Sequence, residues 1–98
     1  MILEFSSEAE SDLEQIADYI AEHNASRAIS FIQELRRKCE DLVINPNGCA
    51  LVPRYENHGI RRRVHGNYLI FYRVEPGKLV IIHILHGATD YGAQLFGE

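Results

Sequence analysis

The 98-residue chain is short of several things, and each shortage removes a class of protein. No apolar run approaches the roughly 20 residues that a membrane helix needs. The amino terminus, MILEFSSEAE, has neither a basic region nor a long apolar core, so no secretory signal is expected and a cytoplasmic location is the default. Cysteine occurs only at Cys39 and Cys49, with no C-x-x-C pair. In a cytoplasmic chain these read as two free thiols. G-x-S-x-G, the P-loop, the Rossmann fingerprint and H-E-x-x-H are all missing. His83 and His86 stand three apart on an expected strand and so face opposite sides, while His58 and His65 flank another strand. No metal site and no cofactor are expected. Repeats, low-complexity segments and linkers are also lacking, so residues 1–98 read as one domain.

Basic residues are missing from both ends. Met1 to Asn24 holds seven acids (Glu4, Glu8, Glu10, Asp12, Glu14, Asp18, Glu22) and no Lys or Arg, and none follows Lys78. Arg54 to Lys78 holds six basic residues against two acids, Glu56 and Glu75. The net charge of −4 therefore hides a strong asymmetry. Such a division points to a charged partner on one face rather than to general or sequence-specific DNA binding by this chain alone. A 46% hydrophobic and 24% charged composition is that of a globular domain with its own core.

MILEF reads as a short strand. Ser7 and Glu10 have the spacing of a capping box, and Ala9, Leu13, Ile16, Ala17 and Ile20 follow at helical spacing, so helix one is expected from Ser7 to Glu22. Asn24 and Ser26 offer N-cap chemistry, and Ala28, Ile32, Leu35, Cys39 and Leu42 mark helix two from Ala25 to Val43, ended by Pro46. The short connection predicts an antiparallel helix hairpin. Asn45 to His58 reads as loop. The period then changes to two: GIRRRVH, a Gly66-Asn67 hairpin turn, YLIFYRV, an EPGK turn and LVIIHILH give three strands, before a tail with room for one helical turn. The expected fold is α+β, ordered β-α-α-β-β-β, with the helix hairpin on a mainly antiparallel sheet.

The last two strands are apolar on both faces. Strict alternation sets Tyr68, Ile70, Tyr72 and Val74 against Leu69 and Phe71, and Leu79, Ile81 and Leu85 against Val80, Ile82 and Ile84. One helix pair covers one face. A partner chain, a second copy or the tail with Leu95 and Phe96 must cover the other.

Arg61, Arg62, Arg63, Arg73, His83, His86, Asp90 and Tyr91 are residue types that clamp phosphate and move protons, as RNA cleavage requires. The plainer reading makes Arg61 and Arg63 solvated charges on one strand face, puts the Arg62 stem against Ile60 and Val64, and pairs Asp90 with an arginine.

GIRRRVHGNYLIFYRVEPGKLVIIHILHGATDY resembles the ParE branch of the ParE/RelE superfamily of bacterial toxin–antitoxin toxins. SEAESDLEQIADYIAEHN and the helix that follows are similar to the same family, so the resemblance covers nearly the whole chain. It implies a toxin that binds DNA gyrase, blocks its cycle and halts replication without being an enzyme. It also implies a ParD-like antitoxin in a heterotetramer or larger complex, whose carboxy-terminal segment wraps the toxin and covers the spare apolar surface. The expected target contacts are Arg61, Arg62, Arg63, Arg73, His86 and Asp90. The expected antitoxin contacts are Leu13, Ile16, Ile20, Leu69, Phe71, Ile82 and Ile84. The RelE-like branch, nucleases that cut mRNA on the ribosome, is the alternative, with Arg73, His86 and Tyr91 as its catalytic set. Against it, Tyr68 stands where that branch carries a basic residue, and no Lys or Arg follows Lys78. ParE-like endings often read H-G-A-R-D, and Thr89 replaces that arginine here. This departure leaves a third reading, an inactive relic that still binds antitoxin.

Overall fold

A computed structural model describes residues 1–97. The order is β1 (Ile2–Phe5), α1 (Ser7–Ala21), α2 (Ala25–Leu42), a 3₁₀ turn (Glu56–His58), β2 (Ile60–His65), β3 (Tyr68–Glu75), β4 (Lys78–His86) and α3 (Tyr91–Phe96). The four strands form one sheet in the order β1-β4-β3-β2, antiparallel except for the β1–β4 pair. The expected α+β layering is therefore present. Among the described residues no helix is long and apolar enough to cross a membrane.

One serine fixes the passage from β1 into α1. Ser6 N–H donates to the Ile81 carbonyl (3.0 Å), its hydroxyl donates to the Ile82 carbonyl (2.7 Å), and the same oxygen accepts from Ala9 N–H (3.0 Å). Ser6 thus caps the helix and fastens its start to β4. The expected Ser7–Glu10 box does not form; the cap lies one residue earlier, where a single hydroxyl reaches helix and strand together. Asn24 caps α2 as expected, accepting from Arg27 N–H at 3.0 Å.

Helical spacing turns Ala9, Leu13 and Ile16 of α1 and Phe31, Leu35, Cys39 and Leu42 of α2 onto the sheet. They meet Ile70, Tyr72, Leu79, Ile81 and Ile84. Phe31 takes the core place expected for Ile32, which is half-buried.

The register between β3 and β4 breaks once. Phe71 lies opposite His83, but Tyr72 lies opposite Ile81, so Ile82 is an extra residue. A bulge of this kind inverts the in–out alternation beyond it. Ile84 therefore joins Leu79 and Ile81 under the helices, and Leu85 moves to the opposite face. This corrects the strict alternation expected for LVIIHILH.

The second face is covered largely by the chain itself. Val52, Ile60, Phe71 and Leu85 form a smaller core, with Tyr55, Leu69, Tyr91, Leu95 and Phe96 packed against it. Phe96 stacks on Tyr55 with centroids 3.9 Å apart and rings 8° from parallel, and His58 lies 4.6 Å from Phe96. Gly92 permits this approach, since a Cβ there would stand 3.0 Å from the Tyr55 hydroxyl. Of the three covers expected for this face, the tail is the one present in the chain, and it acts together with the loop around Val52.

Candidate target-binding face

The arginine run divides between the two sides of β2, because successive side chains of a strand alternate. Arg61 and Arg63 lie on the helix side, opposite Tyr72 and Ile70. Arg62 lies on the other side, opposite Phe71.

Arg61 is occupied by its own chain. Its Nη1 donates to the Cys49 carbonyl at 2.6 Å and to the Asn47 carbonyl at 3.4 Å. Tyr72, its ladder partner, donates its hydroxyl to the Pro46 carbonyl at 2.8 Å. Together they tie the loop after α2 onto the sheet. Burial and the neighbouring Cys49 raise the Tyr72 phenol well above its usual range, so it remains a donor. Arg61 is thus a structural cation. Arg63 is half-buried on the side of α2, and its charge acts on the Cys39 thiol. Burial outweighs that attraction and pushes Cys39 up to about 12.

Arg62 has a different environment. Its Nη1 donates to the Tyr91 hydroxyl at 3.1 Å, and the Tyr91 ring packs on Phe71 with centroids 5.2 Å apart. Arg73 shares this face, two residues along β3 from Phe71, and its Nε donates to Glu75 at 3.0 Å. Asp90 is exposed at the start of α3, and Arg54, Tyr55, Thr89 and Gly92 line a shallow groove with it and Tyr91. The outward face therefore presents Arg62, Tyr91, Arg73 and Asp90.

His86 is elsewhere. It lies opposite Tyr68, with their rings 5.3 Å apart, and Tyr68 packs against the helix-side core. Burial, with a smaller contribution from Tyr19, raises the Tyr68 phenol. Arg73 and Tyr91 thus share a face, while His86 stands on the other. Among the described residues no hydrogen bond joins these three.

The expected antitoxin contacts divide as well. Leu13, Ile16, Phe71 and Ile84 are buried within the chain, while Ile20, Leu69 and Ile82 are half-buried. The first four hold the two cores together and are unavailable to a partner without unfolding. Exposed apolar surface lies instead on the outside of the helix hairpin, where Ala17, Ala21, Ala28, Ile29 and Ile32 line a groove. Ile29 is 64% exposed there.

Two functional-looking features had weaker signals in the sequence. Asp12 accepts from His83 Nδ1 at 2.6 Å and from Ile84 N–H at 2.9 Å. Its signal was a lone acid on the apolar stripe of α1. Arg54 has φ of +75°, and Pro53 before it was the only sign of a turn.

Among solved structures the fold is similar to a chain of "Chromosomal ParDE TA system from P. aeruginosa", with a TM-score of 0.75 and 22% identity over 88% of this chain and 95% of that one. A search of curated proteins gave no match. The family model described as "ParE toxin of type II toxin-antitoxin system, parDE" matches residues 3–91, which carry α1 and α2, all but the first residue of the sheet, and the arginine run, and stop at the first residue of α3. The chain belongs to the ParE toxin family of type II toxin–antitoxin systems.

Proposed function

We propose that this chain inhibits DNA gyrase by binding, through the face that carries Arg62 and Tyr91, and is neutralised by a ParD-like antitoxin. Membership of the ParE toxin family supports this reading. The observation that carries the site is the Arg62–Tyr91 hydrogen bond of 3.1 Å on the side away from the helices. It holds a half-buried guanidinium in one orientation at the surface, and an arginine ordered in this way loses less entropy when it meets an anionic partner.

The same geometry speaks against the ribonuclease reading. Cleavage of RNA needs a base and an acid placed within reach of the same bond. His86 is on the helix side, and the Arg73 guanidinium is paired with Glu75. Tyr91 is left with a single arginine, and no second titratable group is hydrogen-bonded to it among the described residues.

For the antitoxin, the groove outside the helix hairpin offers the apolar surface; exposed Asp18 lines it, and exposed Glu10 and Glu14 line the adjoining hollow, where Arg36 pairs with Glu10. An amphipathic helix with a basic flank fits that combination. Ile20, Leu69 and Ile82 extend the apolar contact as half-buried residues.

The test is a supercoiling assay with antitoxin-free protein, scoring inhibition and trapped DNA breaks together. Inhibition with breaks supports the proposal. Full gyrase activity at high molar excess removes it, and transcripts cut during translation would then favour the ribosomal reading.

A further inference from the structure

Arg54 has φ of +75° and is exposed. It follows Pro53 in a turn closed by Tyr55 N–H donating to the Val52 carbonyl at 3.1 Å. This is the arrangement of a type II turn, with proline second and the positive-φ residue third, the place where glycine is favoured. Arginine there puts a Cβ into a crowded backbone region, so the local conformation is strained. Gly59, Gly66, Gly77 and Gly97 meet the same demand in this chain without strain. At Arg54 a long cation stands in the glycine position.

Three further observations bear on why. Among the described residues Arg54, like Arg37 and Arg63, makes no ion pair and no side-chain hydrogen bond, whereas Arg27, Arg36, Arg61, Arg62 and Arg73 each make one. Its turn is firmly held, because Val52 is fully buried in the smaller core and Val52 N–H donates to the Ile60 carbonyl at 2.9 Å. Arg54 also lines the groove that contains Tyr91, the acceptor of the Arg62 hydrogen bond. Backbone residues held in strained conformations cluster at active sites, ligand clamps and switch regions.

We infer that Arg54 is a second recognition arginine, offering its guanidinium to a paired-oxygen anion of the target beside Arg62. This rests on the proposed function only in that the chain acts by binding a target through this face. The guanidinium fork binds two oxygens at once, which an ammonium cannot reproduce.

The experiment compares Arg54→Gly, Arg54→Ala and Arg54→Lys with the native chain. It measures Tm, antitoxin affinity and the induction level that arrests growth in cells lacking the antitoxin. Glycine removes the strain and the charge together, so Arg54→Gly is expected to raise Tm by about 4 °C. It should nonetheless need about tenfold more folded protein to arrest growth, the loss typical of one good charge-assisted contact. Arg54→Ala keeps the strain and should lose the same potency with little change in Tm. Arg54→Lys should fall between. All three should bind antitoxin normally, which verifies their fold. Native potency in both Arg54→Gly and Arg54→Ala would overturn the inference, and so would a loss confined to Arg54→Ala. If the native chain arrests growth but leaves purified gyrase untouched, the gyrase reading fails while the potency series still judges Arg54. A folded native chain that arrests nothing overturns both.

Discussion

The carboxylate of Asp12 on α1 holds two groups of β4 with one oxygen: His83 Nδ1 at 2.6 Å and the backbone N–H of Ile84 at 2.9 Å. β1 pairs with β4 only as far as Phe5 opposite Ile81, so the edge of β4 beyond it lacks a strand partner. Asp12 fills that place just after the extra residue Ile82. It docks the helix hairpin onto the bulge whose offset turns Ile84 into the core.

Removing that carboxylate should be costly for a surface-reaching acid. Asp12→Ala leaves the Ile84 N–H and the His83 ring without their acceptor, an expected loss of about 2–3 kcal/mol. Asp12→Asn keeps an acceptor for Ile84 and should lose about half as much, in line with a neutral hydrogen bond replacing a charged one. Urea unfolding of the three proteins measures both. Native stability in Asp12→Ala would show that the contact does not hold the bulge.

Alkaline pH should weaken the fold through Cys39. Burial raises this thiol from 9.0 to about 12, so the folded chain keeps a proton that the unfolded chain releases. The stabilisation is complete below pH 9 and is lost as pH rises from there through about 12. Each unit within that window removes at most about 1.4 kcal/mol. Tyr72, also raised, adds a loss of the same sign. Chemical unfolding at pH 8, 9.5 and 10.5 should therefore show a falling stability whose slope is smaller in Cys39→Ala. Equal slopes would mean that the thiol ionises alike in both states.

Much of this fold was legible because its signals are local. The helix hairpin follows from three-and-four spacing, the Asn24 cap and Pro46, and the strands from alternation around Gly66-Asn67. The bulge was not legible. Val80, Ile81, Ile82 and Ile84 are all β-branched and apolar, so shifting one past another changes nothing in the pattern. The choice of Ser6 over its neighbour Ser7 as cap depends on the Ile82 carbonyl, 76 residues away. At the site, alternation already put Arg62 with Ile60. The fate of Arg61 depends on the Asn47 and Cys49 carbonyls, in a loop without regular structure that no periodicity describes.

Antitoxin capture should be both apolar and charge-steered. Ile29→Asp places a charge in the exposed groove of the helix hairpin while leaving both cores intact. Its dissociation should be at least about tenfold faster, the cost of burying an unpaired charge in an apolar contact. The association rate of the native pair should fall as salt rises past about 0.1 M, where screening acts within about 10 Å. Stopped-flow mixing across a salt series reads both quantities. A salt-independent rate would remove the steering by the acidic α1, and native dissociation in Ile29→Asp would move the antitoxin off this groove.

The central claim is that one arginine of the run meets the target while its neighbour holds the fold. The direct measurement is gyrase supercoiling inhibition by Arg61→Ala and Arg62→Ala, each normalised to folded protein, with stability measured alongside. Arg61→Ala should lose about 1–2 kcal/mol of stability by freeing the Asn47–Cys49 loop and keep its inhibition per folded molecule. Arg62→Ala should remain folded and lose about tenfold or more in inhibition. The reverse pattern, with Arg62→Ala fully inhibitory and folded Arg61→Ala inactive, would contradict the assignment of the outward face.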